Sequence, residues 1–212
     1  MFKAIRSLFR SFQKQQPAEE FTSPAQLSQG DMLRFADSFA IPEELRGASF
    51  QVQKVTTYFY GDTASPQFII KSGDRKPLYL SIEDFDGEEL IVVSRKLKSK
   101  EVESLFGWDQ LRTAMKNEDS RELAVKNNDH TDSWLAESYS RRVFGAKGHY
   151  FERDLRHSGA VPSGGESFNY FEYYTAEENK SLEIEVWDGD EIEVCLGLVR
   201  PMTDIDELWR KS

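Results

Sequence analysis

Three histidines, one cysteine and an abundance of carboxylates are the groups in this chain that could do acid, base or nucleophilic chemistry. His130, His149 and His157 show neither HExxH nor HxxxH spacing, which would set two imidazoles on one helix face, and no cysteine pair lies beside them. A zinc site is therefore not expected. Asp129-His130-Thr131 with Ser133 places acid/base residue types close together, but in a polar, loop-like stretch where a solvated histidine is the ordinary outcome. Cys195 sits in an alternating run among glutamates, whose charge raises a thiol pKa, the reverse of what a nucleophile needs, so a small packing residue is expected. Asp188-Gly189-Asp190-Glu191 lacks the spaced ligands of a calcium loop and has the composition of a hairpin turn. No GxGxxG, P-loop or GxSxG occurs. No catalytic residue, metal site or cofactor is expected, and the protein reads as a non-enzyme.

Two charged patterns could instead carry binding. Residues 1–16 hold Lys3, Arg6, Arg10 and Lys14 and no acid, in a chain of net charge −10, so the remainder carries −14. Phe2, Ile5, Phe9 and Phe12 recur every three or four residues, with Leu8 beside them, which predicts an amphipathic basic helix. Such a helix suits an anionic membrane surface, the groove of a partner protein, or docking on its own acidic body. In the run from Leu182 to Leu196, Leu182, Ile184 and Val186 share a face with Ile192, Val194 and Leu196, while Glu183 and Glu185 share the other with Glu191 and Glu193. This second face reads as solvated and acidic, or as a docking surface for a basic partner segment, with Lys180 and Arg200 near enough in sequence to offset its repulsion. Tyr58, Phe59, Tyr60 and the run from Phe168 to Tyr174 offer aromatic surface, read mainly as sheet packing covered on both faces. The expected role is a non-enzymatic adaptor or scaffold that reaches a membrane surface or a partner protein through Phe2, Ile5, Phe9 and Phe12; the alternative is a small-molecule-binding or enzymatic domain with a pocket between two halves of the chain, lined by aromatics such as Tyr170 and Tyr173. The acidic balance argues against a nucleic-acid partner.

Two similar β units must position these groups. Leu78–Phe106 and Leu182–Trp209 each hold an alternating apolar run, an Asp-Gly pair, a second run and an acidic segment ending Val/Ile-x-x-Leu-aromatic, a pattern that suggests an internal duplication. Asp86-Gly87 is a strong hairpin signal. Val102, Leu105, Phe106 and Leu111 predict a helix over 100–116 with an interruption at Gly107. The expected class is α+β and mostly antiparallel, with two related halves packed together and a helix between them. The expected layout is an amphipathic helix over 1–16, a linker over 17–29, a first half over 30–116, a polar linker over 117–133 and a second half over 134–212. A single cysteine and the lack of a signal-like segment indicate a reducing, cytoplasmic setting, peripheral at the inner membrane face if the helix engages lipid.

The segments GDMLRF, SFQVQKVTTYFYGD, FEYYTAEENKSLEIEVWDGDEIEV and DIDELW make the chain similar, from about Leu27 onward, to uncharacterised bacterial β-rich domains of unknown function. Some of these are encoded beside phage-shock-protein-A-like membrane-stress proteins. The resemblance implies an accessory role in membrane maintenance or remodelling and a phage-shock-protein-A-like partner, and it supplies no functional residues.

Overall fold

A computed structural model describes residues 21–126 and 132–211. The basic helix expected over 1–16 and the Asp129-His130-Thr131 triplet lie outside them. Eleven strands follow in order: β1 (Met32–Phe35), β2 (Ser49–Tyr60), β3 (Thr63–Lys71), β4 (Leu78–Phe85), β5 (Glu88–Lys96), β6 (Glu122–Ala124), β7 (Ser138–Phe151), β8 (Glu166–Tyr174), β9 (Lys180–Trp187), β10 (Ile192–Pro201) and β11 (Ile205–Trp209). Between β5 and β6 the chain forms α1 (Ser99–Leu105) and α2 (Trp108–Lys116), broken at Gly107 where the periodicity weakens. The expected polar linker over 117–133 contains β6, whose Leu123 is fully buried. Ser133 and Trp134 form a turn ahead of β7.

All pairings are antiparallel, in the order β11-β1-β2-β3-β4-β5-β10-β9-β8-β7-β6. Tight turns account for the local part of this order. Asp86 and Gly87 both adopt positive φ, 54° and 90°, the mirror-image turn geometry whose twist matches the two flanking strands. The long-range part is a seam. The C-terminal half of β2 pairs with the C-terminal half of β7, Thr57 opposite Phe151 and Tyr60 opposite Gly148. Eight strands, β2-β3-β4-β5-β10-β9-β8-β7, thereby close into a hydrogen-bonded ring, and closure removes the sheet edges that would invite further pairing. The two expected halves are thus arcs of one sheet, joined where β5 pairs with β10, and are not two packed bodies.

The main hydrophobic core lies outside this ring. Phe68, Ile70, Leu80, Val93, Leu182 and Leu196, all fully buried, point away from the lumen. They are covered by Val102 and Phe106 of the α1 segment, Leu111 and Ala114 of α2, Leu33 and Phe35 of β1, and the loop residues Ile41, Leu45 and Trp134. Residues 42–47 form a turn, with the Leu45 and Arg46 amides both donating to the Pro42 carbonyl. Covering one of these large side chains is worth about 1.5–3 kcal/mol, so the helices and loops hold the ring from its outer surface. Ile91 and Val93 of β5 belong to this apolar core, while Val92 is buried on the opposite side. That sheet is covered on both faces.

Candidate functional site

The inward surface of the ring follows from the register, because side chains opposite each other in a ladder share a face. Tyr58 lies between Ser65 of β3 and Tyr150 of β7. Glu185 lies between Tyr170 of β8 and Glu193 of β10, and Cys195 between Glu183 of β9 and Lys96 of β5. Contacts that skip strands show that this face is the concave one. Tyr174 Oη of β8 is 3.4 Å from Glu83 Oε2 of β4, with three strands intervening along the ring, and Tyr60 of β2 meets Tyr170 of β8 at 4.7 Å between ring centroids.

The lumen holds a cavity of about 400 Å³ with walls from all eight ring strands. A second void of about 380 Å³ continues along it, and Tyr58, Gln67 and Glu183 border both. One wall of the larger cavity is aromatic. Tyr58 and Tyr150 stand 5.0 Å apart, Tyr150 meets Trp187 edge-on at 5.6 Å, and Phe168 backs Trp187 at 4.9 Å. The indole Nε1 of Trp187 is shielded from solvent and has no hydrogen-bond partner among the described residues. The facing wall is acidic. Glu183, Glu185 and Glu193 project into the cavity from β9 and β10, and Lys96 pairs with Glu193. Glu83 and Glu172 do the same in the second void.

Five carboxyls in a lumen with one ammonium partner cannot all hold charge cheaply. Burial, with Glu193 second, pushes Glu185 up to about 8, and burial, with Glu83 second, pushes Glu172 up to about 7. Burial also raises Glu83, against the hydrogen bonds it accepts from Ser81 and Tyr174. Glu183 is raised well above the carboxylate range, first by burial and then by Glu83, Glu172 and Glu185. Among the described residues Glu183 has neither a hydrogen-bond donor nor an ion pair. The Cys195 thiol is pushed up by burial and next by Glu183 and Glu185, which keeps it protonated and unreactive.

The structure rearranges the residues singled out in sequence. Glu183 and Glu185 do not form an open acidic surface: Glu185 is 9% exposed and both face the lumen. Glu193 joins them, and Glu191 is exposed at the cavity's rim. The physical reason is that a protonated carboxyl is a polar but neutral group, which an enclosed, partly wet lumen accommodates. Lys180 and Arg200 do not neutralise these glutamates. Lys180 donates to the Leu135 carbonyl, and Arg200 pairs with Asp204 at 2.6 Å. Tyr170 faces the lumen while Tyr173 is buried in the outer core, so the expected aromatic pocket contains one of the two. His149 and His157 are exposed and far from any clustered ligands, and no group of three His, Cys, Asp or Glu side chains able to hold a metal occurs among the described residues. Tyr79, Lys96, Tyr150 and Trp187 were not anticipated, although a lone Glu172 among buried aromatics is a local sign that the even-numbered face of β8 borders something polar.

The pattern of a known family matches residues 44–200, from the turn before β2 to the penultimate residue of β10. The chain belongs to DUF4178, a domain of unknown function. The DUF4178 match spans all eight ring strands together with α1, α2 and β6, and leaves out β1 and β11. No curated protein and no solved structure matches the chain.

Proposed function

We propose that this DUF4178 protein is a small-molecule-binding module whose ligand occupies the lumen of the ring. The observation that supports this is the cavity itself: about 400 Å³, walled by all eight strands, with carboxyls on one side and on the other aromatic groups that include Trp187, whose indole Nε1 has no partner among the described residues. Ligand sites are concave, mainly apolar and furnished with a few polar groups that fix orientation, and their usual volume begins at about 300 Å³. A small-molecule set covering anions, neutral compounds and cations, screened by thermal shift, tests the reading. At least one compound is expected to raise the melting temperature of the wild-type chain and to lose that effect in Cys195→Phe, which fills the cavity from β10. A screen in which every stabiliser acts equally on both chains would remove the lumen as the binding site.

A second reading concerns where the module works. Residues 1–16 carry four cations and no acid with Phe2, Ile5, Phe9 and Phe12 at helical spacing, and they precede the DUF4178 match. The body adds a groove of about 760 Å³ beside α1 and α2, bordered by Lys76, Lys98 and Arg112 with Trp108 at its side. These features support peripheral attachment to an anionic membrane surface, as an adaptor in a membrane-stress or remodelling system of the kind served by phage-shock-protein-A-like proteins. No helix among the described residues is long and apolar enough to cross a membrane. Co-sedimentation with anionic vesicles is expected to weaken with salt and to vanish when residues 1–16 are deleted. Equal sedimentation of the two chains would refute the role of this segment.

A further inference from the structure

We propose that the lumen of the ring is selective for an organic ammonium ion, which it holds between the Tyr58–Tyr150–Trp187 wall and the Glu183–Glu185 wall. This rests on the lumen being a ligand site and names the class of ligand. Aromatic faces attract cations through their quadrupole, most strongly where water is excluded, and an ammonium group adds direct pairing with carboxylates. The Tyr58 and Tyr150 rings stand 5.0 Å apart and Trp187 completes the aromatic side, and Tyr58 borders the same cavity as Glu185. On β9, Glu183 faces the same space with no cation or donor beside it among the described residues.

The other charged groups around the cavity favour the same sign. From β5, Lys96 is engaged with Glu193 of β10 and is not free to hold an anion. At the mouth, Glu166 of β8 and Asp188 and Glu191 of the β9–β10 turn are exposed and add negative potential, which steers cations inward and anions away. Tyr79 of β4 and Cys195 of β10 contribute neutral groups, since burial raises both of their pKa values. A metal ion fits less well, because no three potential ligands converge among the described residues. A positive group entering the site would favour ionisation of carboxyls that burial otherwise keeps protonated, so binding should release protons near neutral pH.

Choline and its uncharged isostere 3,3-dimethyl-1-butanol, titrated calorimetrically into the full chain, separate charge recognition from shape. Choline is expected to bind about tenfold or more tightly than the alcohol, and Glu183→Gln/Glu185→Gln to remove that preference while leaving alcohol binding unchanged. Cys195→Phe, which fills the cavity from β10, provides a second measurement and is expected to abolish binding of both compounds. Equal binding of choline and the alcohol would overturn cation selectivity and leave the lumen as a neutral site. Binding of choline that Cys195→Phe leaves unchanged would overturn the lumen reading as well, and binding of neither compound would overturn the ammonium proposal while the thermal-shift screen decides the lumen. Melting curves of the double variant control for folding, and the substitution preserves shape.

Discussion

The protein is expected to become less stable as pH rises from 5 to 8. Glu172 and Glu185 have folded-state pKa values raised to about 7 and about 8, so between the ordinary carboxylate range and those values the folded chain holds protons that the unfolded chain has released. Each such proton tilts stability toward lower pH by about 1.4 kcal/mol per pH unit. This contribution is fully present below the unfolded pKa and is lost as pH rises through the folded one. Glu183 and Glu83 shift in the same direction and widen the effect. Below pH 4 the trend reverses through groups such as Asp154, held down by its hydrogen bond with Arg156. For a chain of this size the melting temperature should be about 10 °C higher at pH 5.5 than at pH 8. Glu172→Gln/Glu185→Gln should melt higher than wild type at pH 8 and show a weaker pH dependence, the remainder coming from Glu183 and Glu83. A melting temperature that is flat, or that climbs toward pH 8, would mean the lumen carboxyls are ionised and solvated.

Gly148→Ala should cost about 3 kcal/mol or more, and Gly148→Val should prevent ring closure. Gly148 lies in the β2–β7 seam opposite Tyr60, and the Phe168 ring covers it. A Cβ there would sit 2.3 Å from Phe168 Cζ and within 2.9 Å of both ring ε carbons. The ring has little room to retreat, since Tyr58 stands 5.5 Å and Trp187 4.9 Å from its centroid. Urea denaturation measures the loss. Gly159→Ala, where an added Cβ meets nothing within 4 Å, should leave stability within about 0.5 kcal/mol of wild type. Pairing Gly148→Ala with Phe168→Leu should recover part of the loss, since the clash is with the ring alone. An unchanged midpoint in Gly148→Ala would show that the seam yields more easily than its packing implies.

Both outcomes turn on features that the sequence conceals. The Asp86-Gly87 turn and the break at Gly107 were legible because each is set by neighbours a few residues away. The seam joins Thr57–Tyr60 to residues some ninety positions later, and no local composition records that pairing. The alternation of Glu183 and Glu185 with Ile184 revealed two faces of different chemistry, but not which face is enclosed, because a protonated carboxyl and a solvated carboxylate are the same letter. Ring closure inverts the usual expectation by putting the apolar face of the sheet outside, under helices and loops, and the polar face within. Tyr79 and Lys96 are ordinary strand residues until β10 is placed beside β5.

That placement also governs how the molecule can be made. β10 joins β5 to β9, and β11 returns to pair with β1, so the strand that bridges the two arcs is the last of the eight ring strands to be synthesised. While a ribosome is still adding residues, β2 to β5 have no partner for the far side of β5, and the aromatic and apolar groups later sequestered on both faces stand open to the solvent. Contacts this distant along the chain form slowly, and unpaired strands left waiting are prone to associate with other chains. Growing chains of this protein should therefore depend on holding factors until Pro201 has emerged, and lowering the rate of translation should prolong that dependence instead of relieving it.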